Sequence, residues 1–266
     1  PADSYIIMVA HFDSRFRQAK LQKTMYSYGA GDDAYGVGSI LELLSQALKY
    51  RDEWHQGVRI LFTDSEENAL DGMKCAAKYN PELFENVGYV VNLESRGMNG
   101  PVLLFETSAN NENVLDLYSE AKAPYGYSLT TVVYRFLPNN TDFTIVKDSI
   151  PGINFSTIDN INYYHVDDDN FENINLATIQ HYGAQIEPIL EEFLTSGEYR
   201  DPDALKGDED LVFFTVPILG IFSFTKPQFT LFCSVVFALF CLALVLNISA
   251  RNATVKGVLK KALVIF

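Results

Sequence analysis

Five short stretches carry side chains able to hold a cation or move a proton. "VAHFDS" brings His11 and Asp13, and "GAGDDAYGVG" brings Asp32 and Asp33. "FTDSEE" brings Glu66 and Glu67, "VVNLES" brings Glu94, and "NYYHVDDDN" brings His165 with Asp167, Asp168 and Asp169. Hard and borderline divalent metals need carboxylates and imidazoles drawn from distant parts of a chain. Taken singly, each stretch has an ordinary reading. A histidine where a strand ends is commonly hydrogen-bonded structure. Asp-Asp ahead of a helix serves as an N-cap with favourable dipole placement. Glu94 reads as a strand-edge surface residue, and three successive aspartates read as a solvated loop. Two adjacent glutamates are also usually solvated. The recurrence of good ligand types at one kind of position, five times in order, is what points to a metal site. His55 and His181 have no comparable neighbours and are read as structural.

Those positions need a scaffold. "YIIMVAHFD" reads as a buried strand with a polar end, and "VRILFT", "VGYVVNL", "PVLLFET" and "IPGINFST" are further apolar runs read as central strands. "GVGSILELLSQALKY" places Val37, Ile40, Leu41, Leu44 and Leu48 at helical spacing, which predicts one apolar face. "NVLDLYSEAKA" and "NLATIQHYGAQIEPILEEFL" also read as helices. Strand and helix in alternation predict an α/β fold, with helices on both faces of a mixed, mostly parallel sheet. In such sheets the loops converge at the carboxyl ends of the strands, where the ligand candidates lie.

The chain has 266 residues, and about half of them are hydrophobic, so a sizeable core can form. A formal net charge of -14 argues against nucleic acid, which needs a basic face. Of the three cysteines, Cys233 and Cys241 lie in an apolar tail and Cys75 stands alone, so neither a disulfide framework nor a thiolate metal site is implied. The opening "PADSYIIMVA" has no initiator Met and no signal-peptide pattern, and the chain is read as a piece of something longer.

The expected organisation is a catalytic domain over residues 1–195, truncated at its amino end, followed by a polar linker over 196–210. Residues 211–227, "LVFFTVPILGIFSFTKP", form either a last strand or a segment lying on a bilayer. Residues 228–250 carry no charge, and the apolar stretch from Phe229 to Ile248 has about the 20 residues a membrane-crossing helix requires. Arg251, Lys256, Lys260 and Lys261 follow, so residues 251–266 read as a basic cytoplasmic segment. Its end, "VLKKALVIF", is compatible with the start of a second crossing. By that orientation the acidic domain lies on the extracytoplasmic side, outside the cell or in an organelle lumen.

The ordered set "HFDS", "GAGDDAYGVGSILELL", "ILFTDSEENALDGMKCAA", "VVNLES" and "YYHVDDDNFENI" resembles the co-catalytic zinc aminopeptidase family. That family includes leucine-type aminopeptidases, glutamate carboxypeptidase II and glutaminyl cyclases. "NNTDFTIVKDSIPGINFS" and the charge-free helix resemble its membrane-bound branch of endoplasmic reticulum metallopeptidases and vacuolar membrane proteases. The resemblance implies a zinc-dependent peptide-bond hydrolase with two Zn²⁺ per chain. It implies that His11 and Glu94 serve one zinc, that Glu67 and His165 serve the other, and that Asp32 bridges them. It further implies that Glu66 is the general base, that Asp13 orients the His11 imidazole, and that Asp33 sets the turn.

Charge is consistent with that set. Two zinc ions bring +4, and Asp32, Glu67 and Glu94 supply -3. The remainder favours a bridging hydroxide, with Glu66 free to carry its proton to the leaving amine. Glu94 stands where secreted aminopeptidases carry Asp, a departure shared with the membrane-bound branch and with glutaminyl cyclases, which use one zinc; either carboxylate can bind zinc. The readings carried forward are a membrane-anchored aminopeptidase acting on peptides, a single-zinc cyclase, and a catalytically silent ectodomain. Tyr164, Tyr134 and Arg135 are candidates for an oxyanion or a peptide carbonyl, and Glu106 and Arg96 for a substrate amine or carboxylate. Packing is the alternative for each.

Overall fold

The computed structural model describes residues 2–15, 26–249 and 257. They divide into two compact units, one running to Ser223 and the other beginning at Phe224. The first unit is built on five strands: β1 (Tyr5–His11), β2 (Gly57–Thr63), β3 (Val87–Ser95), β4 (Leu103–Thr107) and β5 (Gly152–Thr157). Their order across the sheet is β2-β1-β3-β5-β4. All neighbours are parallel except β4 and β5, so the sheet is mixed and mostly parallel. The carboxyl ends of β1, β2, β3 and β5 therefore open at one edge.

β1 shows why its sequence is apolar throughout. Successive side chains of a strand point to opposite faces. Ile6, Met8 and Ala10 join one core cluster with residues of α1 (Ala34–Ala47) and α6 (Leu176–Thr195). Ile7 and Val9 join another with Met73 of α2 (Asp71–Tyr79) and with Phe143 and Val146 of α5 (Phe143–Val146). Helices thus cover both faces, which is the three-layer α/β/α arrangement. Two shorter helices, α3 (Glu112–Tyr118) and α4 (Ser128–Tyr134), follow β4.

Three expectations change. β2 and β4 are the edges of the sheet rather than central strands, and six of the seven β2 residues are only half-buried. The apolar run of β2 reflects cover on its faces, not a central position. In α1 the buried stripe is Tyr35, Ser39, Ile40, Leu43 and Ala47, whereas Leu41 is 53% exposed and Leu48 is also exposed. Small residues at 36, 39 and 47 lie on the buried stripe, and the two leucines lie off it. Third, the stretch expected as a linker packs onto the domain: Tyr199 and Leu205 belong to the main core cluster.

Residues 211–224 form a hairpin of β6 (Val212–Val216) and β7 (Gly220–Phe224), with Phe213 buried. In the second unit, α7 (Lys226–Ser249) has 24 residues, with no charge after Lys226 and no buried side chain. At about 1.5 Å per residue it is roughly 36 Å long, enough for a hydrocarbon core of roughly 30 Å. Among the described residues it is the one helix long and apolar enough to cross a membrane. Apart from Gly257, the expected basic segment lies outside the described residues.

Packing of the 196–210 stretch can be measured. Leu205 is 2% exposed, so Leu205→Ala should cost about 2–5 kcal/mol, while Leu41→Ala should cost no more than about 0.5 kcal/mol. Denaturant unfolding of the two variants checks this. Equal, small losses would show that residues 196–210 are loosely attached.

Candidate metal centre

Four parallel strands deliver the candidate residues to one edge of the sheet. His11 is the last residue of β1, and it pairs in register with Thr63 at the end of β2, just before Glu66 and Glu67. Glu94 lies at the end of β3 opposite Ser156 of β5, and His165 follows in the loop after β5. Asp32 and Asp33 sit at the entrance to α1, joined by a cis peptide.

The loops are shaped to hold these positions. Ser65, Ala69, Leu70 and His165 all have left-handed backbone angles, which side chains rarely adopt and which gather at functional sites. Gly72 closes the loop that carries the two glutamates. A Cβ there would collide with the Asp64 carbonyl. Asp33 caps α1 by accepting from the Gly36 amide at 3.0 Å. The two aspartates therefore divide: Asp33 serves the helix, and Asp32 points into the cluster.

Two groups of donor atoms result, and they share Asp32. One is His11, Asp32 and Glu94, and the other is Asp32, Glu67 and His165. His11 Nε2 lies 3.1 Å from Asp32 Oδ1 and 3.6 Å from Glu94 Oε2. His165 Nε2 lies 3.0 Å from Asp32 Oδ2 and 2.6 Å from Glu67 Oε1. Asp32 Oδ2, Glu67 Oε1 and His165 Nε2 are buried, converge on one another, and make no hydrogen bond. Buried polar atoms are ordinarily paired. Three that meet without pairing, all of ligand type, fit a divalent cation, and the oxygen and imidazole donor set suits zinc.

Electrostatics points the same way. His11 is nearly fully buried, and burial disfavours its charged form. The carboxylates of Asp13, Asp32 and Glu94 gathered around it outweigh this and hold its pKa well above the ordinary value. Asp32 is buried too, yet its two imidazole partners pull it below the usual carboxylate range. Burial, then the proximity of other carboxylates, lifts Glu66 to about 9. Burial also raises Glu94 to about 7, against the opposing pull of His11. So much negative charge in one buried place asks for a compensating cation.

Neighbouring groups fix the donors. His11 Nδ1 donates to the Asp13 main-chain carbonyl at 2.9 Å, closer than the Asp13 carboxylate at 3.5 Å. That carboxylate instead accepts from the Glu66 and Glu67 amides at 3.0 and 3.3 Å. Asn92 donates to Glu94 at 3.3 Å, the Tyr182 hydroxyl of α6 holds the Glu94 carbonyl, and Arg15 donates to Glu67 at 2.9 Å. Asp169 accepts from the Gly31 and Asp32 amides and from Ser27 Oγ, and so holds the loop that presents Asp32. In the sequence Asp169 reads as one of three solvated aspartates. Asp167 and Asp168 are indeed exposed, and Asp169 is buried. No local pattern separates the three.

A cavity of about 610 Å³ opens beside the cluster. Asp32, Glu66, Glu67 and Glu94 line one side, and Phe105, Leu129, Val133, Leu137 and Ile158 form an apolar wall. Tyr134, Tyr164 and Arg96 also line it. Tyr164 stacks on His165 with centroids 3.5 Å apart. Glu106 and Arg135 are not among the lining residues. Glu106 is buried and neutralised by Lys147 at 2.5 Å, with Asn154 donating at 3.2 Å. It is an internal ion pair rather than a group facing a substrate. Arg135 is exposed at the end of α4. His181 is structural: it accepts from the Val102 amide and donates to the Ala123 carbonyl.

Residues 1–190 match the profile of Peptidase family M28. The chain is 30% identical over 232 residues to the human endoplasmic reticulum metallopeptidase 1, a match covering 85% of this chain and 24% of that protein. It is 27% identical over 250 residues to a vacuolar membrane protease of Paracoccidioides lutzii, covering 92% of this chain and 24% of that protein. The chain thus spans about a quarter of the length of these relatives. In fold it is similar to an aminopeptidase from Aneurinibacillus sp. strain AM-1, with a TM-score of 0.57 at 20% identity, covering 74% of this chain and 45% of that one.

If Asp169 positions the Asp32 loop, Asp169→Ala should leave a folded protein that holds zinc about ten- to hundred-fold more weakly. Competition with a chromophoric chelator measures the affinity, and circular dichroism verifies the fold. Unchanged affinity would assign Asp169 to loop structure alone.

Proposed function

Because the chain belongs to peptidase family M28, we propose that it is a membrane-anchored metallo-exopeptidase with two zinc ions, releasing residues from the amino ends of peptides. The observation that carries this reading is the division of Asp32. One of its oxygens faces His11 and Glu94, and the other faces Glu67 and His165. A single carboxylate shared by two complete donor groups supports a two-metal centre over a one-metal one. His11 and Glu94 would then hold the first zinc, Glu67 and His165 the second, and Asp32 would serve both.

Bound zinc supplies Lewis-acid polarisation of the scissile carbonyl and an acidified water. The chain's own groups do the rest. Glu66 lines the cavity without belonging to either donor group. Its carboxylate takes the proton of the attacking water and passes it to the leaving amine. Glu66 stands among crowded carboxylates whose charge bound cations would offset, so that it could ionise despite its burial. Asp13 holds the backbone of Glu66 and Glu67 and, through its carbonyl, the His11 ring. The apolar wall of Leu129, Val133 and Leu137 suits an apolar side chain on the residue to be released. Tyr134, its hydroxyl buried and unpaired beside the cavity, is a donor for the developing oxyanion.

Zinc analysis and turnover test the reading together. The protein should bind two zinc equivalents and release residues from aminoacyl anilides in a chelator-sensitive way. Glu66→Gln should cut kcat by about 10²-fold or more with zinc content kept. One equivalent with cyclisation of amino-terminal glutamine would favour a glutaminyl cyclase, and neither metal nor turnover would favour a silent ectodomain.

Anchoring rests on α7, on its lack of charge, and on Arg251, Lys256, Lys260 and Lys261 after it. By the positive-inside tendency that end faces the cytoplasm and the peptidase unit the opposite side. Protease added to right-side-out vesicles, or to the lumenal side of opened organelles, should cleave residues 2–223 and spare a tag placed after Ser249. The reverse pattern would invert the topology.

A further inference from the structure

Among the described residues Arg96 has no ionic partner. It lines the cavity, two residues beyond Glu94 on the same strand end. Its backbone continues the ladder by donating to the Thr157 carbonyl at 2.9 Å. Among the described residues its guanidinium makes no salt bridge and no side-chain hydrogen bond, and its Nε is buried without a partner. Its guanidinium carbon lies 5.5 Å from the centre of the Tyr164 ring. The two other cations lining the cavity are engaged: Arg15 with Glu67, and Lys74 with the Ala69 carbonyl.

A partly enclosed guanidinium without an anion is costly, and its planar fork matches a carboxylate. We infer that Arg96 receives a carboxylate carried by the residue immediately behind the scissile bond, so that the site favours dipeptides, or peptides with an acidic second residue. The inference rests on the exopeptidase reading for the place of the scissile carbonyl beside Glu94. The spacing agrees. Residues i and i+2 of a strand point to the same face about 6.6 Å apart, so Arg96 stands beside Glu94 at a distance that a long side chain spans. Tyr164 lies between the guanidinium and His165, stacked on the imidazole, so the Arg96 fork is tied to the metal side of the cavity by one rigid ring. The apolar wall would take the side chain to be released, and Arg96 the carboxylate on the leaving side.

The test compares leucyl-alanine, leucyl-alanine amide and leucyl-glutamic acid α-amide on the zinc-loaded full chain. We expect kcat/KM for one carboxylate-bearing substrate to exceed that of leucyl-alanine amide by about ten- to hundred-fold, mainly through KM. Preference for leucyl-alanine identifies the α-carboxylate, and preference for the glutamyl amide identifies the side chain. Arg96→Gln should abolish the difference, and Arg96→Lys should restore part of it. Equal kcat/KM for all three substrates in the wild-type protein would overturn the role of Arg96 and leave the exopeptidase reading standing. Calorimetric titration of the Glu66→Gln protein with leucyl-alanine and its amide decides independently of turnover. Tenfold or tighter binding of the free acid, lost on adding Arg96→Gln, supports the inference. Equal binding of the two overturns it, even if no substrate is hydrolysed.

Discussion

Carboxylates repel one another, and burial makes the repulsion worse. Asp32, Glu66, Glu67 and Glu94 nevertheless share one end of a folded sheet, with Asp33 and Asp142 buried nearby. Much of the architecture can be understood as the means of holding that charge together. The imidazoles of His11 and His165 lie against it, pushed toward their charged forms. Backbone amides of Glu66 and Glu67 lean on Asp13, and those of Gly31 and Asp32 lean on Asp169. Three donor atoms stay unpaired at the centre. A divalent cation relieves all of these strains at once, which is the physical sense of reading the cluster as a metal centre.

The scaffold explains how donors so far apart in sequence meet. Parallel strands have their carboxyl ends on one side, so each crossing of the sheet brings the chain back to the same edge. β1 and β3 lie at the middle of the sheet and supply His11 and Glu94 from rigid, fully buried backbone. Glu66, Glu67 and His165 come from loops, and these loops carry the left-handed residues. Rigid strands set two donors, and shaped loops bring in the others. The polar network behind the site adds a further constraint. Asn92, Asn154, Thr141 and Glu106 are linked by hydrogen bonds at 2.8–3.2 Å, with Lys147 closing the far end. This network explains why Glu106, close in sequence to strand-end candidates, faces inward instead of toward the cavity.

The cavity is asymmetric, and that asymmetry frames the substrate reading. Its acidic side holds the donors and Glu66, its opposite wall is apolar, and Arg96 stands beside Tyr164. A peptide brings the same three chemistries in one molecule: a polarisable carbonyl, a side chain and a carboxylate. The fit supports a small peptide as ligand better than a large folded one, since about 610 Å³ accommodates only a few residues.

Much of this was legible in the sequence because it depends on local rules. Alternation of apolar runs and helical periodicity predicted the layered α/β fold, and ligand-type residues after successive strands marked the edge where they would gather. The length and lack of charge of residues 228–249 likewise set α7 apart. Other features depend on contacts between segments far apart, and no local pattern contains them. Which leucines of α1 turn inward was decided by the face of the helix that meets the sheet and α6. Whether Tyr199 and Leu205 pack or dangle was decided by the core they meet. Asp169 differs from Asp167 and Asp168 only in finding two amides 137 and 138 positions away. That Arg96 has no counter-ion among the described residues, while Arg15 and Lys74 are engaged, is likewise a matter of distance in space. Sequence fixes which chemical groups are available and the rhythm that folds them, whereas pairing, burial and charge balance arise only when the chain has closed on itself.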